Sequence, residues 1–254
     1  MMAIRKRNNM KNLNGKIAIV TGGNSGIGYA AAKELKENGA RVIITGRRKE
    51  AVEKAASQLG VEALVADQSS IQEINALVVA VSKRSGTVDI LVVNAGITQL
   101  TDIEHAPEKV FDDIMGVNLR GTYFTLSKFI PVLSEGASVI LVSSTTAHTN
   151  KPYTSIYCAS KAAVNAVMKI AAVELAPRKI RVNAVSPGPI ATELMEKGTM
   201  GDPKLQELIV SGVPLGRLGK PDEVGNLICY LASSNASFIT GSEFIIDGGQ
   251  VLNK

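Results

Sequence analysis

The sequence predicts an α/β protein, a single domain built on a doubly wound parallel sheet of seven strands. Two observations support this prediction. Short runs of branched apolar residues alternate with segments of helical spacing along the chain, and the first run is joined to its helix by a glycine-rich turn. The 254 residues, 45% hydrophobic and 20% charged, suit one such domain with an ample core.

The first strand–turn–helix unit predicts a binding site for an anion. Ile17–Val20 has the composition of a buried parallel strand, and a helix ending at Asn38-Gly39 follows the turn. The first N–H groups of that helix lack intrahelical partners, the helix dipole favours negative charge, and glycine admits a pyrophosphate close to the backbone. We therefore expect phosphate contacts from the turn residues Thr21, Gly22, Asn24, Ser25, Gly26, Ile27 and Gly28.

The remaining elements follow in order. Six further strands are predicted at Arg41–Thr45, Val61–Ala66, Ile90–Val93, Ser138–Val142, Arg181–Val185 and Glu243–Ile246. The main helices between them are predicted at Ile71–Lys83, from near Pro107 towards Pro131, at Ser155–Leu175 and at Pro221–Leu231. Residues 190–219, rich in proline and glycine, predict a mobile lid with a helix inside it. Residues 1–12 are expected to be a flexible arm before the domain of residues 13–254.

Polar residues and glycines follow several of the predicted strands. Ligands of doubly wound sheets bind at the carboxyl ends of the strands. That rule collects these residues along one edge: Gly22, Gly46-Arg47, Asp67, Asn94, Ser143-Ser144 and Pro187-Gly188.

Composition argues against several classes of protein. The net charge of +5 is concentrated in Arg5-Lys6-Arg7 and Arg47-Arg48-Lys49, and aromatic residues make up only 4%, so no nucleic-acid partner is expected. No run approaches 18 uninterrupted apolar residues, so no membrane span is expected. Cys158 and Cys229 lack metal-ligand spacing, which predicts no metal site and fits a reducing, cytoplasmic compartment.

Tyr157 and Lys161 are four positions apart on a predicted helix and therefore share a face. A free phenol, with a pKa of about 10, is three units from neutrality, or roughly 4 kcal/mol. An ammonium about 5 Å away supplies roughly 3 kcal/mol at an effective dielectric near 20. We therefore expect Lys161 to lower the pKa of Tyr157 nearly enough by itself to make the phenol a usable acid and base.

With these motifs in hand, the chain resembles the short-chain dehydrogenase/reductases, single-domain enzymes with a Rossmann-type fold. The resemblance runs from about Leu13 to Gly249. Its marks are T-G-x-x-x-G-x-G at Thr21–Gly28, Asp67, N-A-G at Asn94–Gly96, Asn118, Ser144, Y-x-x-x-K at Tyr157–Lys161, and Pro187-Gly188. Two positions depart from the family pattern, Val93 before N-A-G and Cys158 after the tyrosine, and neither removes a catalytic group.

The resemblance implies a role for each matching residue. Tyr157 would exchange a proton with the substrate oxygen while hydride moves between nicotinamide and carbon. Ser144 would hydrogen-bond that oxygen, Lys161 would hold the nicotinamide ribose, and Asn118 would anchor a water leading to the lysine. The implied dinucleotide contacts are Asp67 and Gln68 at the adenine and Ile190 and Thr192 at the nicotinamide carboxamide. Asn94, Ala95, Gly96, Pro187 and Gly188 complete the implied set. The family also implies a homo-oligomer, with a tetramer as the expected form.

The cofactor preference is predicted from the end of the second strand. NAD enzymes usually carry an acidic residue there, whereas this chain reads Thr45-Gly46-Arg47-Arg48-Lys49. An arginine fork matches the oxygens of a 2′-phosphate, so Arg47 and Arg48 favour NADP (NADPH) over NAD. The substrate would be a small ketone or secondary alcohol.

Three other functions remain to be weighed. A 3-oxoacyl-carrier-protein reductase would dock its acidic carrier on arginines; Arg178 matches one such position, but Glu135 falls at the other and would repel the carrier. A redox sensor that binds the dinucleotide without turnover would not need Ser144, Tyr157 and Lys161. A hydrolase using Ser144 and His148 lacks a G-x-S-x-G elbow, and no carboxylate is evident in the sequence to orient the histidine, which we expect to face the substrate pocket or solvent.

Overall fold

The computed structural model describes residues 13–149, 151–199 and 202–252, without the side chains of 197–199. The predicted N-terminal arm, residues 1–12, lies outside the described residues. Seven strands form one sheet in the order β3-β2-β1-β4-β5-β6-β7, and every neighbouring pair is parallel. The strands are β1 Ile17–Thr21, β2 Arg41–Gly46, β3 Glu62–Val65, β4 Val88–Val93, β5 Leu133–Val142, β6 Arg181–Pro187 and β7 Glu243–Ile246. The predicted fold class is confirmed.

Helices cover both faces of the sheet. They are α1 Gly26–Glu37, α2 Lys49–Leu59, α3 Ile71–Ser85, α4 Glu108–Met115, α5 Thr122–Phe129, α6 Ser155–Leu175, α7 Glu193–Thr199, α8 Pro203–Ser211 and α9 Pro221–Ala232. Successive strand residues point to opposite faces, so the apolar runs fill two cores. Ala18 and Val20 belong to the core under α1, α2 and α9, whereas Ile19 between them belongs to the core under α3, α5 and α6.

The long helix expected between Pro107 and Pro131 is divided. A π-helical segment, Gly116–Gly121, separates α4 from α5. It brings the backbone of Gly121 against Gln68, where an added Cβ would lie 2.3 Å from the Gln68 carbonyl oxygen. The wider turn also aims Asn118 into the protein, where its side chain is fully buried.

Helix α6 packs on the sheet in the same helical layer as α3 and α5. With the short helix that follows it, Ser155–Arg178 is long and apolar enough by length and mean hydropathy (1.3) to cross a membrane. The search for uninterrupted apolar runs in the sequence did not identify this helix as a candidate span. Its inner face nevertheless carries the buried polar residues Ser160, Lys161 and Asn165, and it packs on β6. Those contacts are typical of a core helix in an α/β protein.

The lid predicted at residues 190–219 has, in its described part, two helices, α7 and α8, where one was expected. Its two ends are joined by a parallel bridge between Ile190 and Gly219. The Ala191 N–H donates to the Gly219 carbonyl and the Gly219 N–H donates to the Pro189 carbonyl, both at 2.9 Å. The lid is thus a loop closed at its base, next to the carboxyl edge of the sheet.

Candidate active site

The glycine-rich turn is shaped by close backbone contacts. Gly22 adopts φ +64°, and an added Cβ there would lie 2.9 Å from the Ala95 Cα atom. A Cβ on Gly28 would lie 2.2 Å from the Gly22 carbonyl oxygen, so α1 approaches the turn more closely than any side chain allows. Ser25, in extended conformation, precedes the first residue of α1. The start of α1 therefore forms a cradle of backbone donors suited to a pyrophosphate.

The ends of β1 and β4 are tied together beside this cradle. The Thr21 hydroxyl accepts hydrogen bonds from the N–H groups of Asn94 and Ala95 at 3.0 and 3.1 Å. The Asn94 amide donates to the carbonyls of Thr21 and Gly22 at 3.0 and 3.2 Å. This is the point where the strand order reverses, at which doubly wound sheets bind their ligands.

An open cleft of about 1460 Å³, including space that opens to solvent, runs along this edge. It is lined by most of the residues expected to contact a dinucleotide: Thr21, Gly22, Asn24, Ser25, Gly26, Ile27, Arg47, Arg48, Asp67, Gln68, Asn94, Ala95, Gly96 and Thr192. Gly28 lies beneath the turn, Pro187 is the last residue of β6, and Gly188 and Ile190 follow it farther along the edge. Ile97, Glu193 and Leu194 also line the cleft and were not expected from motifs.

Two of the residues expected at the adenine are already engaged within the chain. Asp67 Oδ1 accepts from the Ser69 N–H at 2.8 Å and from the Ser69 hydroxyl at 2.7 Å. The buried Gln68 amide donates to the carbonyls of Ala95 and Val117 at 3.1 and 3.2 Å. The Gln68 side chain therefore joins β4 to the π-helical segment, and its backbone is the part left to face an adenine.

Arg47 and Arg48 are exposed at the end of the cleft, and Arg48 precedes the first residue of α2. Gly46, the last residue of β2, faces the Asn24 side chain. This end of the cleft therefore offers two exposed cations to an anionic group.

Ser144, Tyr157 and Lys161 come from two adjacent elements. Ser144 follows β5 and begins a 3₁₀ turn, Thr145–His148, while Tyr157 and Lys161 lie in the first turns of α6. The Ser144 hydroxyl accepts from the Thr146 N–H at 3.1 Å. A hydrogen bond with Ser144 favours the ionised form of Tyr157.

The pKa expectation for Tyr157 is wrong in direction. Burial of the hydroxyl raises the pKa of Tyr157, and the Ser144 hydrogen bond opposes this only in part. Lys161 Nζ lies 5.8 Å from the Tyr157 ring centroid and donates to the Val142 carbonyl at 2.8 Å. Burial also lowers the pKa of Lys161 to about 8, which weakens the positive charge assumed in the sequence argument.

Asn118 joins the π-helical segment to the loop after β4. Its Oδ1 accepts from the Ile97 N–H at 2.8 Å, and its Nδ2 donates to the Ile97 carbonyl at 2.9 Å and the Ser160 hydroxyl at 3.2 Å. A Cβ on Gly96 would lie 3.3 Å from Asn118 Oδ1 and 3.4 Å from Lys161 Nζ. Asn118, Lys161 and Gly96 are thus brought together on the inner wall of the site.

His148 does have a carboxylate partner, contrary to expectation. Its Nε2 lies 2.6 Å from Glu243 Oε1 on β7. Sequence reasoning missed this contact because 95 residues separate the two groups. The Ser144 hydroxyl contacts Thr146 rather than His148, so the pair does not complete a hydrolase triad. Among the described residues there is no cluster of three or more metal-ligating side chains, and both cysteines are free.

The doubly wound sheet, the glycine cradle and the cleft at the reversal of strand order are typical of dinucleotide-binding α/β proteins, and comparison with known proteins identifies the family. A family model described as enoyl-(acyl carrier protein) reductase matches residues 22–250. The 3-oxoacyl-[acyl-carrier-protein] reductase FabG of Thermotoga maritima is 36% identical over 247 residues, covering 94% of this chain and 99% of the relative.

Solved structures of similar fold also point to one family of oxidoreductases. A short-chain dehydrogenase/reductase from Mycobacterium marinum superposes with a TM-score of 0.89 at 35% identity, covering 95% of this chain and 98% of that one. The Pseudomonas aeruginosa RhlG/NADP complex gives 0.91 at 32% identity, covering 96% and 99%. The chain belongs to the short-chain dehydrogenase/reductase family of oxidoreductases.

Proposed function

We propose that this protein is an NADP-dependent oxidoreductase that transfers hydride between nicotinamide and a ketone or secondary alcohol, with Tyr157 as acid and base. The observation that carries the proposal is the meeting of Tyr157, Ser144 and Lys161 beside the cleft that begins at the glycine cradle.

The residues around the cleft fit a dinucleotide. Gly26 and Ile27 begin α1 and line the cleft, so their N–H groups would bind a pyrophosphate there, where the α1 dipole favours negative charge. Thr192 closes over the same turn, since its Cγ2 would lie 3.2 Å from a Cβ on Gly26. When bound, NADPH would supply the hydride for the carbonyl carbon.

The protein groups would manage the oxygen end of the reaction. A raised pKa keeps Tyr157 protonated at neutral pH, which suits donation of its proton to the carbonyl oxygen in the direction of reduction. The Ser144 hydroxyl would hydrogen-bond the same oxygen as charge develops on it. Lys161, with a pKa of about 8, changes charge near neutral pH and so could return a proton towards Tyr157.

The preference for NADP rests on Arg47 and Arg48. Both are exposed and line the cleft at the end of β2, in a stretch of sequence that contains no carboxylate. Guanidinium groups bind phosphate oxygens through two parallel N–H donors, so a 2′-phosphate would be favoured here. The structural neighbour solved with NADP supports the same preference.

Reduction of acyl chains on a carrier protein is the second candidate, favoured by the family description and by the Thermotoga relative. The side chain of Arg178 counts against it. Its guanidinium donates to the backbone carbonyls of Ile130 and Leu133, and neighbouring Lys179 pairs with Glu135 at 2.7 Å. These contacts hold Arg178 against its own chain and leave Glu135 on the surface that a carrier would approach.

We further propose a homotetramer in the cytoplasm, with a small-molecule substrate and neither nucleic acid nor membrane as a partner. Support for assembly comes from apolar side chains exposed on α6, where Ile170 and Val173 are 61% and 73% exposed.

A cofactor-resolved activity screen tests the proposal. Ketones, secondary alcohols and acyl-carrier thioesters are offered with NADPH or NADH and the corresponding oxidised cofactors, and turnover is followed at the nicotinamide absorbance. NADPH-linked reduction of small ketones supports the proposal, and a strict need for acyl carrier supports the second candidate. NADPH binding without turnover on any substrate would indicate a redox sensor.

A further inference from the structure

One polar cluster lies outside the proton-transfer chemistry described above, at the start of edge strand β7. Glu243, whose side chain is 15% exposed, accepts three hydrogen bonds on Oε1. The donors are Asn165 Nδ2 at 2.9 Å, the Ser186 hydroxyl at 2.5 Å, and His148 Nε2 at 2.6 Å in the tautomer that carries hydrogen there. Together these four residues are termed the Glu243 cluster.

The Glu243 cluster connects the two elements that carry the catalytic groups. His148 ends the 3₁₀ turn that Ser144 begins. Asn165 lies on α6, the helix of Tyr157, two turns farther along. A single carboxylate oxygen therefore links the serine turn to the tyrosine helix, and Ser186 anchors both to β6.

Other hydrogen bonds also hold the serine turn, which is Ser144 with the 3₁₀ turn Thr145–His148. The Thr145 hydroxyl lies 3.4 Å from Gln250 Oε1, just after β7, and 3.2 Å from the Pro187 carbonyl oxygen. The Ser143 hydroxyl donates to the Lys161 carbonyl at 3.0 Å. The far end of the turn, at His148, depends on Glu243 as its described side-chain partner.

We propose that Glu243 and His148 are positioning residues. They hold the 3₁₀ turn against α6 so that the Ser144 hydroxyl lies within hydrogen-bonding distance of the Tyr157 hydroxyl. Hydrogen bonds to a carboxylate are stronger than neutral ones and fix the geometry of both partners. A misplacement of about 1 Å at a reacting group can cost about 100-fold in rate. The reading rests on the proposed function, because it assigns these residues to the Ser144–Tyr157 reaction.

The test uses three variants of the full chain and two measurements. His148→Ala removes one donor at a partly exposed site, His148→Gln keeps a side-chain N–H donor, and Glu243→Gln removes the charge. Glu135→Gln is the control for the same chemical change, since Glu135 has a similarly short pair with Lys179, at 2.7 Å, near the amino end of β5, whereas Ser144 follows the carboxyl end of that strand. Hydrogen exchange of the peptide covering residues 143–149 reports on the turn, and kcat with the Kd for NADPH reports on catalysis.

We expect faster exchange of that peptide in His148→Ala and Glu243→Gln, with kcat lowered about 10- to 100-fold and the Kd for NADPH changed by less than about twofold. His148→Gln should recover most of kcat, and Glu135→Gln should match wild type. Unchanged exchange, or faster exchange with unchanged kcat, would overturn the proposal. A wild type without turnover on any substrate would instead refute the proposed function, and the exchange data would then decide whether the Glu243 cluster holds the turn.

Discussion

Lys161 donates a 2.8 Å hydrogen bond from Nζ to the carbonyl oxygen of Val142, the last residue of β5. Ser144 lies two residues beyond that carbonyl, and Tyr157 lies one helical turn before the lysine. The contact therefore ties the strand that leads to the serine to the helix that carries the tyrosine. It also leaves an ammonium group buried, with only 4% of the residue exposed, and this has a measurable effect on stability.

The first prediction concerns that buried ammonium. Burial lowers the pKa of Lys161 from 10.5 to about 8, so below pH 8 both folded and unfolded chains carry its proton and the full cost of burial is present. Between pH 8 and 10.5 the unfolded chain binds more protons than the folded chain, so the free energy of unfolding rises with pH. The expected gain from this group is up to about 3 kcal/mol.

Denaturant unfolding at several pH values between 7 and 10 measures this gain as the difference between wild type and Lys161→Met. The control is Lys169→Met, which removes an exposed lysine from the same helix. A wild-type curve parallel to that of Lys161→Met across this range would contradict the lowered pKa.

Replacing Tyr157 by Phe should abolish turnover while NADPH binding stays close to wild type, because only the phenolic hydroxyl supplies the proton. The loss should reach about 100-fold or more in kcat, the usual contribution of a general acid. Tyr230→Phe, on α9 and outside the residues that line the cleft, is the matched control for the same chemical change. Retention of most of the kcat in Tyr157→Phe on a good substrate would show that another group is the acid.

Local patterns predicted most of the fold. The bounds of α6 and β7 agree with those predicted. Helix α6 buries regularly spaced apolar residues, whereas β7 is an edge strand without a fully buried residue and is defined by its pairing with β6. The π-helical segment was missed, since it depends on the approach of Gly121 to Gln68 across the fold rather than on local spacing. The second lid helix begins at Pro203 with Asp202 as its cap, a signal that the sequence does contain.

The roles assigned to the site residues stay predictions, but the position of most of the expected dinucleotide contacts was foreseen. They line one cleft, since the carboxyl ends of parallel strands meet there. The expected lowering of the Tyr157 pKa was wrong, because burial raises it. The expectation that no carboxylate orients His148 was also wrong, because Glu243 lies 95 residues away in the sequence. A distance of 5 Å and an intermediate dielectric were assumed for a lysine that is in fact desolvated and bonded elsewhere.

Assembly is testable on the exposed face of α6. Ile170 and Val173 are apolar, largely exposed and on the same side of the helix, so a second copy packed there would remove them from water. Val173→Asp should therefore shift the mass measured by light scattering from a tetramer to a smaller species at micromolar concentration. The control Lys54→Asp, at an exposed position on α2, should leave the mass unchanged. A wild-type monomer would refute the tetramer itself.

The last prediction concerns the choice of cofactor. If Arg47 pairs with a 2′-phosphate, Arg47→Leu should raise the KM for NADPH far more than that for NADH. One charge-assisted hydrogen bond contributes about 1.5–3 kcal/mol, which corresponds to about 10- to 100-fold, and Arg48 should soften the loss. Lys49→Leu, which removes another exposed positive charge two residues further along, is the matched control.

Gly46→Asp should shift the preference further, because it adds repulsion against the phosphate and offers an acceptor to the 2′-hydroxyl of NAD. The new Cβ would lie 2.8 Å from Asn24 Oδ1, so the Asn24 side chain must rotate away, and a modest loss of thermal stability should accompany the switch. The decisive quantity is the ratio of kcat/KM for NADPH and NADH in wild type and the three variants, measured at low and high salt, since an exposed charge pair weakens with screening. A wild type that already prefers NADH, or a ratio unchanged in both Arg47→Leu and Gly46→Asp, would exclude Arg47 as the phosphate ligand, while the roles proposed for Tyr157 and Ser144 at the other end of the cofactor would stand.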